Sequence, residues 1–211
     1  MAFKLRLFSV LILAVFVVSL AGCGAPKSPT GKKLGDLTIR SLAHQGVSLT
    51  GKFKTGYYAY HDDNRITLIL LDGDEQAPDQ LLVARMLWLP RGSKTPVNRN
   101  ATNAIFKYVI YAGGDRNIVG VYGGGGYLYP KQKPGKDHLN CAIWDGSMAL
   151  QHLSKGFVDR LGRVQIDGKF KVIRNDQKVA TLLKQLESEL AGKLGYPIMV
   201  KREARLYSKD M

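Results

Sequence analysis

The chain has 211 residues, a formal net charge of +14 and two cysteines. A hydrophobic fraction of 45% excludes a disordered chain, because that much apolar surface can build a core. The length limits this core to one domain or two small ones, and two cysteines exclude paired Cys-x-x-Cys metal motifs.

The first 23 residues have the organisation of an export signal. Lys4 and Arg6 form a short positive segment, residues 7–20 form an apolar run, and the tetrapeptide LAGC ends at Cys23. The run is shorter than the about 20 residues of a comfortable membrane span, and small residues at its end are typical of a cleavage site. We therefore predict a signal peptide over residues 1–22.

This tetrapeptide resembles the lipobox of bacterial lipoproteins. In that family the cysteine is lipidated and the preceding peptide is removed, so the resemblance implies a lipid anchor on Cys23. The family's inner-membrane retention signal is Asp at the next position, where this chain has Gly24. The resemblance thus implies the cell envelope: the periplasmic face of the outer membrane in a diderm cell, or the outer leaflet in a single-membrane cell. We find no family resemblance in residues 34–211.

The charge of the chain bears on its partners. Residues 1–22 contain two basic residues and no acidic one, so the chain from Cys23 has 189 residues and a net charge of +12. Such a charge is typical of nucleic-acid binding, but export argues against that partner. Three kinds of partner remain. The lipid would bind the membrane, the basic domain could bind anionic headgroups or envelope polymers, and the domain could also bind a partner protein. A basic surface that serves only solubility is the alternative.

Three segments follow from these patterns. Residues 1–22 are the signal peptide, residues 23–33 are the lipidated cysteine and a tether, and residues 34–211 are a single mainly-β domain. The tether sequence GAPKSPTGKK is rich in Gly, Pro and Lys, which is typical of a flexible linker. Ten such residues span at most about 35 Å.

Period-two alternation of apolar and polar residues predicts short strands from residue 37 onward. Residues 57–61 and 65–71 predict a hairpin around a three-residue turn, and the apolar run RITLILL should be covered on both faces. Asp-Gly at 145–146 and at 167–168 predicts two tight hairpin turns. Further strands are predicted at 37–40, 47–54, 81–89, 104–112, 117–122, 139–144, 147–153, 164–166, 169–173 and 198–207. The apolar run 81–89 also fits a helix, and the turn that begins at Pro90 favours the strand.

One amphipathic helix is predicted near the end of the chain. Asn175 or Asp176 can cap its start, and Gly195 and Pro197 stop it. The apolar stripe at spacings of three and four comprises Val179, Leu182, Leu183, Leu186, Leu190 and Leu194. Short strands with regular turn signals and one late helix predict a mainly-β fold, an antiparallel β-sandwich or barrel-like domain with a C-terminal helix.

The segment YLYPKQKPGK, residues 127–136, is the candidate binding site. Tyrosine faces stack on sugar rings and lysines meet anionic groups, so the mixture suits a charged glycan or a lipid headgroup. A plain solvated connection between strands is the alternative. The candidate residues are Tyr127, Tyr129, Lys131, Lys133 and Lys136.

One glycine-rich segment and one segment that contains a cysteine are predicted to have structural roles. Residues 123–126 are four glycines without the Lys and Ser/Thr of a phosphate loop, so we predict a flexible hairpin or a bulged edge. Cys141 lies in LNCAI, where alternate residues share a strand face, and we predict a buried apolar role for it.

No catalytic motif occurs in the sequence, and we assign no catalytic residue, cofactor or metal. The alternative function is an envelope hydrolase that pairs a histidine with a carboxylate, His61 with Asp63 or Asp137 with His138. The acidic segments 61–64 and 72–75 offer cation ligands, but these residues are also what β-turns require. A non-catalytic, lipid-anchored binding protein is therefore our first hypothesis.

Replacing Cys23 by Ser removes the thiol that the lipobox interpretation lipidates. We expect the variant to be unlipidated and recovered in the soluble fraction after cell fractionation, whereas a Cys141→Ala control stays with the membranes. Complete recovery of the Cys23→Ser chain with the membranes would contradict the lipobox interpretation.

Overall fold

The computed structural model describes residues 34–44, 47–51, 53–91, 102–114 and 116–198. The predicted signal peptide, the lipobox, the tether and nearly all of the strand predicted at 198–207 lie outside these residues. The described elements are β1 (Gly35–Ser41), β2 (Ser48–Gly51), β3 (Thr55–Tyr60), β4 (Ile66–Gly73), β5 (Pro78–Met86), β6 (Ala104–Ala112), β7 (Ile118–Pro130), β8 (His138–Leu153), β9 (Val164–Arg174) and α1 (Asp176–Leu194).

The described strands form one sheet in the order β2-β1-β9-β3-β4-β5-β6-β7-β8. Strands β3 to β8 are an antiparallel meander, and β9 pairs with β8, so the sheet closes on itself. On its other side β9 pairs with β1 and then, in parallel over two residues, with β3. The predicted mainly-β domain with one C-terminal helix is confirmed, and the closed sheet is its barrel-like form.

Strand β4 is buried on both faces, as the apolar run RITLILL predicts. Ile66, Leu68 and Leu70 belong to the cluster inside the barrel, whereas Ile69 and Leu71 belong to the cluster between the sheet and α1. Alternate strand residues point to opposite faces, so a strand covered on both sides needs apolar residues at nearly every position.

The barrel interior is filled by large side chains. Tyr58, Tyr108, Tyr122 and Phe106 are among the largest fully buried residues. Burial raises the pKa of the Tyr108 and Tyr122 hydroxyls, and the Tyr122 hydroxyl donates a 2.6 Å hydrogen bond to Asp159. The interior is therefore a packed core whose polar tips find partners.

Helix α1 lies on the outside of the barrel. The Asn175 side chain accepts a 2.9 Å hydrogen bond from the Lys178 backbone N–H, and Gly195 ends the helix in the left-handed conformation, at φ 79°. Asn175 was one of the two predicted caps. The buried stripe consists of Val179, Leu182, Leu183, Leu186 and Leu190, and it packs against the outer side chains of the meander.

The two predicted Asp-Gly hairpin turns are wrong. Strand β8 continues through residues 145–146 and strand β9 continues through 167–168. Asp145 has φ 52°, and the register of β8 against β9 shifts between Ile143 and Gly146, which marks a bulge. Asp and Gly tolerate positive φ in bulges as well as in hairpin turns, so the same dipeptide serves both structures.

The four glycines at 123–126 lie inside β7, which is paired on both sides with β6 and β8. The predicted bulge is present, as a register shift between Gly125 and Tyr127, but the predicted edge and flexible hairpin are wrong. A Cβ on Gly124 would lie 1.9 Å from the Ser147 carbonyl oxygen and 2.8 Å from the Met148 Cα. Glycine is needed there because β7 and β8 approach each other closely.

Gly124→Ala should destabilise the domain, because the new methyl group meets backbone atoms that cannot rotate away. We expect the free energy of unfolding in urea to fall by about 1–3 kcal/mol, the usual cost of overpacking. The matched control is Gly114→Ala, where a Cβ would meet nothing within 4 Å and the change should stay within about 1 kcal/mol. Equal urea midpoints for the two variants would contradict the close approach.

Candidate functional site on the outer face of β7, β8 and β9

The outer face of β7, β8 and β9 collects aromatic and basic side chains. Leu128, Ile143 and Phe170 are buried in the barrel core, so their neighbours along each strand point outward. Pairing aligns Tyr127 with Trp144. We call this surface the aromatic–lysine face, which comprises Tyr127, Tyr129, Lys131, Trp144, Lys169 and Lys171.

The aromatic part of the face is a contiguous cluster. The ring centroids of Tyr127 and Tyr129 lie 5.7 Å apart in a stacked arrangement, and those of Tyr129 and Trp144 lie 4.6 Å apart. Trp144 is 54% exposed. Cross-strand aromatic contacts stabilise a sheet, but an indole left half in solvent also offers apolar area to a ligand.

The lysines continue the same face. Ala142 of β8 pairs with Tyr129 on one side and with Lys169 on the other. Asn140 pairs with Lys171, and its carbonyl accepts a 2.8 Å hydrogen bond from the Lys131 backbone N–H. Adjacent strands lie about 4.8 Å apart. Lys131 therefore lies on one side of β8, and Lys169 and Lys171 lie on the other side, two strand spacings away. A shallow groove of about 470 Å³ is lined by residues that include Leu34, Lys131, Asn140, Lys169, Phe170 and Lys171.

The positive charge of this face is not neutralised locally. Lys131, Lys169 and Lys171 are exposed and make no ion pair with any side chain that the structure describes. Asp167, further along β9, is 3.1 Å from the Arg40 guanidinium. Three uncompensated ammonium groups within a few strand spacings attract anions, and dissolved salt screens that attraction.

Lys133 and Lys136 lie in the loop beyond β7. The Lys133 ammonium is 2.8 Å from the Asp63 carboxylate, which raises the pKa of Lys133 and lowers the pKa of Asp63. The Lys136 carbonyl accepts a hydrogen bond from the Tyr58 hydroxyl, and its side chain is exposed. Of the five predicted residues, the structure thus brings Tyr127, Tyr129 and Lys131 onto one face and places the two other lysines at the end of the barrel near β3.

Sequence reasoning missed Trp144, Lys169 and Lys171. All three are outward residues of long strands, and the Asp-Gly hairpin prediction cut both strands in two. The available signal was the period-two alternation along β9. Lys169, Lys171 and Ile173 are exposed, and Phe170 and Val172 between them are buried. This alternation identifies an outward row on β9, but only the pairing of β7 with β8 and of β8 with β9 shows that this row adjoins the tyrosines.

His61 and Asp63, one of the two pairs of the alternative hydrolase hypothesis, contact other residues. The Nε2 atom of His61 is 3.1 Å from the Thr67 hydroxyl, and the pKa of His61 is lowered by burial and by Arg85. Asp63 contacts Tyr60 as well as Lys133. Within the described ranges, no group of three or more His, Cys, Asp or Glu side chains could hold a metal ion.

No protein-family model matches this chain, and neither does any curated protein or solved structure with which it was compared. Among residues 34–198, apart from the gaps given above, no helix has the length and apolar character to cross a membrane. The candidate site therefore stands on its own geometry.

Cys141 is 1% exposed and belongs to the barrel core, which confirms the buried apolar role predicted for it. Burial raises the pKa of its thiol to about 12. Thiolate is the reactive form of cysteine, so the folded protein should present an inert thiol.

In the Cys23→Ser variant Cys141 is the sole thiol. We expect less than a tenth of it to react with iodoacetamide at pH 8 in the time that a small free thiol reacts fully, and complete reaction in guanidinium chloride. Mass spectrometry of the intact chain counts the adducts. Fast labelling of the folded chain would show that the thiol is accessible, contrary to its burial.

Proposed function

We propose that this chain is a lipid-anchored, non-catalytic protein of the cell envelope whose β domain binds an anionic envelope component through the aromatic–lysine face. One observation carries the proposal: three lysines without described acidic partners and three clustered aromatic side chains share one exposed face of a rigid sheet. The lipid anchor itself is proposed from the LAGC sequence at Cys23.

The chemistry of the face supports an anionic ligand. Ammonium groups are strongly hydrated point charges that tolerate varied anion geometry, which suits a surface or a polymer that presents many phosphates or carboxylates. The exposed part of Trp144 adds apolar contact beside the charges. Residues 127–130 and 169–171 belong to paired strands, and the Lys131 backbone N–H is bonded to the Asn140 carbonyl. Little backbone ordering entropy is therefore lost when they bind.

The packed interior supports an outer binding surface. In lipocalin-like barrels a small ligand can occupy the interior, but here Tyr58, Phe106, Tyr108 and Tyr122 occupy that space. Helix α1 covers the outer side chains of the meander. On the aromatic–lysine face, positive charge and exposed aromatic area coincide.

Binding to dextran sulfate, a soluble polyanion, tests the charge requirement. A chain starting at Gly24 retains every described strand and α1 and the whole described core, from Leu37 to Leu190. We expect Lys131→Gln/Lys169→Gln/Lys171→Gln to weaken binding at least tenfold at low salt, as measured by calorimetry, and to reduce its salt dependence.

The matched control removes three charges elsewhere, Lys155→Gln/Arg160→Gln/Lys184→Gln, all exposed side chains. It should change affinity less than threefold. Lys133→Gln should also have little effect, because Asp63 already neutralises that ammonium. Equal losses in the two triple variants would mean that net charge alone drives binding, and the proposed face would then be wrong.

A further inference from the structure

We infer that the anionic component is the headgroup surface of the membrane, and that the aromatic–lysine face docks flat on it. This inference rests on the proposed function and deepens it by committing to one ligand. It is carried by where the chain enters the domain, by the order of side chains across the face, and by the way the aromatic rings contact one another.

The chain enters the domain beside the lysines. Leu34, the first described residue, lines the groove together with Lys131, Lys169 and Lys171. Its carbonyl accepts a 3.0 Å hydrogen bond from the Lys171 backbone N–H. The eleven steps from Cys23 to Leu34 span at most about 38 Å. A lipid on Cys23 would therefore keep the domain within about 38 Å of the bilayer, and the face where the chain enters needs the least of that length to reach it.

The order of side chains fits a membrane interface. Trp144 and Tyr127 lie at one end of the face, and Tyr129 lies level with Lys169. Lys131 and Lys171 follow, and Ile173, 46% exposed, lies at the other end. Tryptophan and tyrosine prefer the headgroup level of a bilayer, and lysines near an anionic surface each add about 1 kcal/mol. Apolar anchors on both sides of a basic strip would hold a flat sheet parallel to the surface.

The aromatic geometry favours a membrane over a glycan. A sugar ring stacks on an open aromatic face, but Tyr127 and Tyr129 stack on each other at an interplanar angle of 27°, and the Trp144 ring centroid is 4.6 Å from that of Tyr129. The two tyrosine faces are thus turned toward each other, while Trp144 stays 54% exposed. Tyrosine edges and hydroxyl groups beside an exposed indole suit insertion among headgroups better than stacking on a polymer.

Flotation with lipid vesicles tests the inference directly. The chain starting at Gly24 is mixed with vesicles of equal parts phosphatidylglycerol and phosphatidylcholine, or of phosphatidylcholine alone. We expect binding only to the anionic vesicles. Lys131→Gln/Lys169→Gln/Lys171→Gln should weaken this binding on the order of a hundredfold, at about fivefold per lysine. The control Lys155→Gln/Arg160→Gln/Lys184→Gln should bind within about fivefold of the parent chain. Its small loss is expected because long-range attraction falls slightly with net charge.

Trp144 reports the orientation of the bound domain. Vesicles with brominated acyl chains should quench part of the tryptophan emission of the parent chain. They should quench little of the emission of Trp144→Phe, which retains Trp88. Vesicle binding with equal quenching in both chains would overturn the flat docking on this face.

The outcomes separate this inference from the function on which it rests. Binding to dextran sulfate through the three lysines, without binding to anionic vesicles, would overturn the membrane as ligand and leave a soluble anionic polymer in its place. Binding to neither probe would overturn the proposed function as well. Lysine-dependent binding to vesicles, with quenching that depends on Trp144, supports both.

Discussion

Closure of the sheet depends on β9, which pairs with β8 along one side and with β1 and β3 along the other. Seven strands, β3 to β9, form the closed part of the sheet. Closure requires local bending of the strands, and the bulge at Asp145 and Gly146 of β8 supplies it where β8 pairs with β9. At Gly146 a Cβ would lie 2.5 Å from the Ile166 side chain. The absence of a side chain at Gly146 lets β8 and β9 approach closely enough to complete the hydrogen bonding.

The position of the candidate site follows from that closure. The meander β3–β7 presents apolar outer side chains, which α1 covers. Strands β8 and β9 instead carry mostly polar, basic and aromatic residues outward, and their inward residues join the core. Helix α1 thus covers outer side chains of the meander, whereas no described helix covers the outer face shared by β8, β9 and the end of β7.

The elements with a strong local signal could be predicted from the sequence. Strand β6 has the bounds expected from its β-branched and aromatic run, and Asn175 caps α1 as its side chain allows. The continuity of β8 could not be predicted, because Asp145-Gly146 has the same local chemistry in a hairpin turn and in a bulge. The partner strands β7 and β9 decide between them, and they are remote in the chain. That long-range pairing also places Lys169 across Ala142 from Tyr129, so half of the site depended on information absent from any short window.

A closed sheet also affects how copies of the domain contact one another when they are crowded together. Unpaired strand edges invite neighbouring chains to add their own strands. Among the described strands, the outermost edge belongs to β2, which has only four residues. Molecules held side by side at high density would thus find few free backbone donors and acceptors on one another. The same circuit of hydrogen bonds that forms the barrel thus limits strand addition between copies of the domain.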